Sequence, residues 1–135
     1  MDGFLLPRSL FARIINHAEL CLPEEACGLM GGPPGSARML VTVTNRLHSP
    51  VRFLMEPQEQ LEAMLAFESH GWDVTAIFHS HPRGPEGPSA TDIAEFYYPG
   101  ALSVILSPAV TGWQARGFLI ENGQVTAVSL IWEED

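Results

Sequence analysis

Basic residues are scarce in this sequence of 135 residues. Seven Lys and Arg stand against sixteen Asp and Glu, which gives a formal net charge of −9. Proteins that bind nucleic acid normally present a basic face, so we expect no nucleic-acid partner. The acidic balance favours solubility and suits a basic partner, but it does not identify one.

Long apolar runs and cysteine pairs are also lacking. No stretch approaches the eighteen or so consecutive apolar residues that indicate a membrane-spanning helix. Residues 1–10 lack the positive and apolar regions of a secretory signal. Cys21 and Cys27 are too few for a disulfide scaffold. We therefore expect no membrane association and a reducing, cytoplasmic location.

Apolar residues make up 46% of the chain, enough to build a core. A chain of this length typically buries about two thirds of the surface of its unfolded state. No repeat, linker or low-complexity segment divides it. We therefore predict that residues 1–135 form a single domain.

Hydrophobic periodicity predicts an α/β fold with a single mixed β-sheet flanked by about three helices. Helical patterns cover 7–20, 58–70 and 89–97, and strand patterns cover 26–31, 38–45, 51–55, 73–81, 101–107, 113–121 and 124–132. Asn122-Gly123 is a hairpin signal between the last two strands. The buried face of the second helix is expected to consist of Leu61, Met64, Leu65 and Phe67. The run 96–98 (FYY) is expected to pack a helix.

Two histidines stand at the end of the predicted strand 73–81. Side chains at i and i+2 of a strand point to the same face, so His79 and His81 project together, about 6–7 Å apart along the backbone. Two imidazoles on one face can bind one metal ion. Two strand-end histidines without a ligand fit the same pattern, so His-x-His alone leaves both interpretations open.

Ser89 and Asp92 open the third predicted helix. Ser-x-x-Asp before an apolar helix is a variant of the capping box, with Ser89 as N-cap. If the preceding loop folds back over the strand end, Asp92 becomes a third metal ligand. Two nitrogens and one carboxylate oxygen then leave a fourth tetrahedral position open, as in catalytic zinc sites.

Glu24 and Glu25 precede the apolar segment 26–31. A solvated loop carboxylate is one interpretation of this pair. If the segment lies beside the histidine strand, one of the two can act as a general base toward water at the metal. Cys27, in the same apolar segment, is expected to be a buried structural cysteine rather than a nucleophile.

Together these residues resemble the JAMM motif. The run HSH at 79–81 is followed, after seven residues, by SATD at 89–92, and the run PEEACGL at 23–29 resembles the family's glutamate-bearing first strand. On this basis the chain is similar to the JAMM/MPN+ (JAB1/MPN/Mov34) metalloproteases of compact prokaryotic type. No motif residue is missing, which argues against the MPN scaffolds that have lost their ligands.

The resemblance implies a role for each motif residue. His79, His81 and Asp92 correspond to the ligands of one Zn²⁺ per chain. Glu25 corresponds to the catalytic glutamate, and Ser89 to the residue that hydrogen-bonds the oxygen of the tetrahedral intermediate. The implied fold is the MPN/JAB domain, similar in outline to the cytidine deaminases.

The resemblance also implies an activity and a partner. The expected enzyme is a zinc-dependent isopeptidase or peptidase that hydrolyses amide bonds at or near the C-terminal Gly-Gly of ubiquitin-like, sulfur-carrier type proteins or their adducts. A zinc deaminase is disfavoured because its Pro-Cys-x-x-Cys is missing from the sequence. The alternative is a non-catalytic MPN interaction module with a vestigial or structural metal site. The sequence does not predict the oligomeric state.

Overall fold

The computed structural model describes residues 2–135. Its helices and strands follow one another in this order: β1 (Phe4–Pro7), α1 (Arg8–Cys21), β2 (Cys27–Gly32), β3 (Met39–Val43), α2 (Pro57–Glu68), β4 (Asp73–Ser80), α3 (Ala90–Ala94), β5 (Leu102–Ala109), β6 (Gly112–Glu121), β7 (Gln124–Val128) and β8 (Leu130–Glu133). Within this range, no helix combines the length and the apolar composition that crossing a membrane requires.

Six strands form a mixed sheet in the order β3-β2-β4-β5-β6-β7. Neighbouring strands are antiparallel except β4 and β5, which are parallel. A parallel pair needs a crossover connection, and this one contains α3 and the loop before it. The α/β fold with a mixed sheet and about three helices is therefore confirmed.

The two faces of the sheet carry separate cores. Ala76 and Phe78 of β4 belong to the core beneath α1, whereas Ile77 belongs to the core beneath α2. Because strand side chains alternate between faces, His79 and His81 lie on the same side as Ile77. The histidines of the motif therefore face α2 and α3.

A second, two-stranded parallel sheet adds to the single sheet that the sequence predicts. β1 pairs with β8, and Phe4 stands opposite Leu130. The predicted strand 124–132 is consequently divided between β7 and β8. The predicted strand 51–55 is wrong, since the structure gives that segment only an isolated bridge between Met55 and Asn45.

The predicted buried face of α2 is mostly wrong. Ala63 and Phe67 are the buried side chains of this helix, while three of the four predicted members are about half exposed, namely Leu61, Met64 and Leu65. The reason lies in the sheet, because β2 presents Gly31 to the helix and the ring of Phe67 occupies the space above it. Because the helix and the strand lie so close together here, only Ala63 and Phe67 among the side chains of α2 are fully buried.

We expect that Gly31→Ala destabilises the protein. A Cβ at this position would lie 2.4 Å from the Phe67 ring, and overpacking of this kind costs about 1–3 kcal/mol of unfolding free energy. Urea unfolding of wild type and variant measures the difference. Gly87→Ala is the control, since its added Cβ would meet only Phe118 at 3.8 Å. Equal stability of Gly31→Ala and wild type would contradict the packing described.

Candidate metal centre

The side chains of His79, His81 and Asp92 meet at the end of β4. His79 Nε2 lies 3.1 Å from His81 Nε2 and 3.1 Å from Asp92 Oδ2, and His81 Nε2 lies 3.0 Å from the same oxygen. Both imidazoles are buried. The structure thus brings together the three side chains that the motif predicts as metal ligands.

Asp92 is held in place by the start of α3. Ser89 is the N-cap of the helix, and its Oγ accepts a hydrogen bond from the Asp92 N–H at 3.0 Å. In return, Asp92 Oδ2 accepts one from the Ser89 N–H at 2.9 Å. The predicted capping box is therefore present. Its carboxylate oxygen also faces both histidines, so the capping and ligand interpretations are compatible.

The two imidazoles are oriented by different contacts. Nδ1 of His81 lies 2.8 Å from the carbonyl oxygen of Pro85, so it donates there and directs Nε2 toward Asp92. The ring of His79 stacks on Phe53, with 4.6 Å between the ring centroids. A hydrogen bond orients one ring, and packing against an aromatic side chain orients the other.

Burial and mutual hydrogen bonding shift the protonation of this cluster. Burial lowers the pKa of His79 and outweighs the hydrogen bond with Asp92. Burial also acts on His81, but its hydrogen bonds with Asp92 and the Pro85 carbonyl raise its pKa overall. Burial alone would raise the pKa of Asp92, yet the contacts with both imidazoles hold it well below its usual range. The ionised Asp92 and the neutral form of His79 suit a divalent metal, whereas any proton on the Nε2 atom of His81 must be released when a metal binds.

Glu25 lies buried beside the histidines, immediately before β2. Its carboxylate and the ring nitrogens of His79 and His81 offer ligand atoms that all lie within 4.8 Å of one another. Glu24 points away, and its carboxylate lies 3.0 Å from Nδ1 of the exposed His48. The structure therefore distinguishes two adjacent glutamates that residue types alone do not separate.

The surroundings of Glu25 fit a bound cation nearby. Burial raises the pKa of Glu25 to about 8, against the opposing effect of His81. Its buried Oε1 has no hydrogen-bond partner among residues 2–135. The three predicted ligand atoms are 3.0–3.1 Å apart, close to the edge of about 3.3 Å that a tetrahedron with zinc–nitrogen bonds of about 2.0–2.1 Å requires. The donor set and its spacing therefore suit a divalent metal.

Cys27, the cross-strand neighbour of His79, does not supply a nucleophile. It is fully buried, and its thiol lies 3.7 Å from the carbonyl oxygen of Val43. Burial raises the pKa of this thiol to about 12, so the reactive thiolate is absent near neutral pH. The predicted buried structural cysteine is confirmed.

A cavity of about 290 Å³ adjoins the cluster on the side of His79 and Asp92. Its wall includes residues to which the sequence assigned no functional role, among them Arg52, Phe53, Glu95, Phe96, Tyr97 and Tyr98. The predicted helix 89–97 is shorter in the structure, since α3 ends at Ala94, and Phe96 and Tyr98 pack against the core cluster that contains Ala63 and Phe67 of α2. No local pattern marks these residues, because the cavity forms only where the segment 47–55 meets the segment 91–98.

Comparison with known proteins identifies the family to which this chain belongs. Residues 7–118 match the family model described as prokaryotic homologs of the JAB domain. This match covers most of the chain and includes every residue of the motif. The chain belongs to this prokaryotic JAB family.

Individual relatives cover most of the chain. It is 33% identical to the CysO-cysteine peptidase of Mycobacterium tuberculosis over 116 residues. The aligned region covers 84% of this chain and 80% of that protein. It is 32% identical over 127 residues to a probable TtuB-protein conjugate cleaving protease of Thermus thermophilus, with coverage of 93% and 82%. The solution structure of a Desulfitobacterium hafniense protein superposes with a TM-score of 0.88 at 31% identity, covering 98% of this chain and 94% of that one.

We expect purified protein to contain about one divalent metal ion per chain, because three ligand atoms converge at one buried point. His81→Ala and Asp92→Asn should each lower bound metal at least about tenfold. Asparagine is chosen because its side-chain oxygen can still accept from the Ser89 N–H. Elemental analysis measures the metal.

His70→Ala serves as the control for this measurement, since His70 is exposed and stacks on Trp72 away from the cluster. Thermal unfolding confirms that each variant is folded. Metal content that is equal in wild type, His81→Ala and Asp92→Asn would show that these side chains are not the ligands.

Proposed function

We propose that the protein is a zinc-dependent peptidase or isopeptidase that hydrolyses the amide bond after the C-terminal Gly-Gly of a ubiquitin-like carrier protein. The convergence of His79, His81 and Asp92 within 3.1 Å of one another, beside a buried Glu25, is the observation that supports it. Three ligands leave one tetrahedral position open for reaction, as in catalytic rather than structural zinc sites.

His79, His81 and Asp92 would hold the zinc ion. Lewis-acid activation of water and of the scissile carbonyl is the chemistry that zinc supplies at such a site when bound. Glu25 is placed to take a proton from the attacking water and to pass it to the leaving amine. Burial raises the pKa of this carboxyl to about 8, so that Glu25 holds a proton readily and can deliver it to the leaving amine.

Ser89 would stabilise the oxygen on which negative charge develops. Its Oγ accepts from the Asp92 N–H, so its own O–H proton is free to be donated to substrate. Because the capping box fixes Ser89 next to a ligand residue, this donor is preorganised for the transition state.

The named relatives support the class of substrate. One is a CysO-cysteine peptidase and another a probable protease that cleaves TtuB-protein conjugates. A third, the desampylase of Pyrococcus furiosus, is 39% identical over 69 residues, which cover 51% of this chain and 49% of that protein. These names describe cleavage of small-protein adducts and conjugates, and we extend that activity to this chain.

We further propose that residues 1–135 work as one JAMM/MPN domain in the cytoplasm. Pairing of the first strand with the last, which places Phe4 opposite Leu130, supports the single domain because it joins the two ends of the described chain. The cytoplasmic location stays a prediction from composition.

Glu25→Gln should abolish most activity while the metal stays bound. Losing the general base is expected to lower kcat about 10²–10⁴-fold, since glutamine cannot accept the proton. Steady-state hydrolysis of carrier adducts and elemental analysis are measured on the same preparations. Glu24→Gln is the matched control, because that neighbour faces outward, and its kcat should equal that of wild type.

This experiment also tests the non-catalytic alternative. If wild-type protein with its full metal content hydrolyses no adduct of any ubiquitin-like carrier, the enzyme assignment is wrong. The protein would then be assigned as a non-catalytic interaction module.

Two substitutions of Ser89 can separate its proposed role as a donor to the oxyanion from its role as the N-cap of α3. Ser89→Ala should lower kcat about 10²–10³-fold, as for the loss of one oxyanion donor, and should cost about 1 kcal/mol of stability as a lost N-cap. Ser89→Gly should lower kcat equally but cost only a few tenths of a kcal/mol, because glycine is tolerated as N-cap. Kinetics and urea unfolding measure the two effects. Near-wild-type kcat in Ser89→Gly would contradict the catalytic role.

A further inference from the structure

The carboxylate of Glu25 has little around it to fix its direction. Its buried Oε1 has no hydrogen-bond partner among residues 2–135. Glu25 also lies outside the strand ladder, since β2 begins at Cys27. A general base must nevertheless lie within hydrogen-bond reach of the water that it activates. The position of Glu25 must therefore be set by the contacts of its main chain.

The main chain of Glu25 is bound at both of its polar groups by one connection. Its N–H donates to the carbonyl oxygen of Ser49 at 2.8 Å, and its carbonyl oxygen accepts from Nδ2 of Asn45 at 3.1 Å. Both partners lie in the connection 44–56 between β3 and α2. The proposed base is thus attached to this connection rather than to a neighbouring strand.

Asn45 holds the connection together through its side-chain amide, which is buried. Besides the bond to Glu25, Nδ2 donates to the carbonyl oxygen of Arg52 at 3.1 Å. Oδ1 accepts from the N–H groups of Leu47 and Leu54, each at 3.1 Å. These four bonds use both N–H groups and both lone pairs of the amide. Asn45 therefore closes the loop 46–54 and joins it to Glu25.

A fully bonded, buried amide allows only one arrangement of the groups around it. If the loop shifted, Asn45 would leave buried donors or acceptors unpaired, and each unpaired group is costly. Rotating the amide by half a turn would bring its N–H groups against the N–H groups of Leu47 and Leu54, so the orientation is fixed as well. The loop is thus rigid where it meets Glu25.

We infer that Asn45 is a positioning residue for Glu25. It fixes the loop 46–54, and Asn45 and Ser49 together hold the main chain of Glu25 so that the carboxylate lies beside His79 and His81. Asn45 contacts the carbonyl oxygen of Glu25, so it acts through that residue and takes no part in the chemistry. This inference rests on the proposed function, in which Glu25 is the general base.

Hydrogen exchange tests the positioning without metal or substrate. In Asn45→Ala, the amides of Glu25 and Leu54 should exchange at least about tenfold faster than in wild type, because the bonds that protect them depend on Asn45. The amide of Phe78, in the middle of β4, reports any general loss of stability and should change less. Unchanged protection of Glu25, or an equal acceleration at Phe78, would overturn the inference.

Kinetics of metal-saturated protein separate positioning from a merely structural role. Asn45→Ala should lower kcat for a carrier adduct about 10–100-fold, as for the loss of other contacts that orient a reactive group, while KM stays within about twofold of wild type. A raised KM with unchanged kcat would contradict the positioning role.

Thr75→Val is the matched control for these kinetics. Thr75 is buried, and its Oγ1 donates to the carbonyl oxygen of Ser36 at 2.7 Å. It lies four residues before His79 in β4, about 13 Å away along the strand. The substitution leaves a buried acceptor unpaired and so lowers stability, but kcat and the exchange of the Glu25 amide should equal those of wild type.

Two further variants keep the test decisive if Asn45→Ala folds poorly. Asn45→Asp keeps both acceptor contacts and, in the protonated form that burial favours, one donor. Its kcat should lie between those of Asn45→Ala and wild type. In the Glu25→Gln background, either substitution of Asn45 should lower the residual single-turnover rate less than about twofold, because the base that Asn45 positions is already lost. Losses that simply add would show that Asn45 acts on another part of the site.

The proposed function and this inference fail in different ways. If metal-loaded wild type cleaves no carrier adduct, the proposed function fails, and a residue that positions its base fails with it. If wild type cleaves an adduct and both Asn45 variants keep the wild-type kcat, the proposed function stands and only this inference is overturned.

Discussion

Oδ2 of Asp92 lies within hydrogen-bond distance of three groups that come from two parts of the chain. The Ser89 N–H fixes it at the start of α3, and the Nε2 atoms of His79 and His81 face it from the end of β4. This oxygen therefore connects the helix cap to the sheet. Because a second contact fixes the orientation of a metal ligand, the helix cap and the proposed metal centre depend on the same geometry.

The parallel pairing of β4 and β5 makes that geometry possible. A hairpin would return the chain at once, whereas a parallel neighbour requires a crossover from one end of the sheet to the other. The loop after His81 and the short α3 lie within that crossover and cover the strand end. On the other side of β4, its pairing with β2 places Glu25 beside the histidines. The end of β4 thus supplies two of the proposed ligands, α3 supplies the third, and the residue that precedes β2 supplies the proposed base, so that Glu25 and the histidines lie at the same end of these two strands.

Charge and burial divide the site into two regions. At the proposed metal centre, Asp92 and the buried Glu25 both lie close to the two imidazoles, and two carboxylates at one buried point suit a cation. Arg52 and Glu95, which also line the adjoining cavity, form a partly exposed ion pair.

The sequence by itself determined the elements whose signals are local. Alternation identified β3, a short apolar run identified β4, and Asn122-Gly123 marked the hairpin between β6 and β7. The spacing of His79, His81, Ser89 and Asp92 indicated the proposed metal centre together with its capping box. Only the tertiary structure decided what depends on distant contacts: the pairing of β1 with β8, the exposure of Leu61 and Leu65 above a glycine-lined strand, and the cavity around Arg52. The physical reason is that periodicity and capping act over a few residues, whereas a cavity or a strand pair is defined by segments that meet only after the chain has folded.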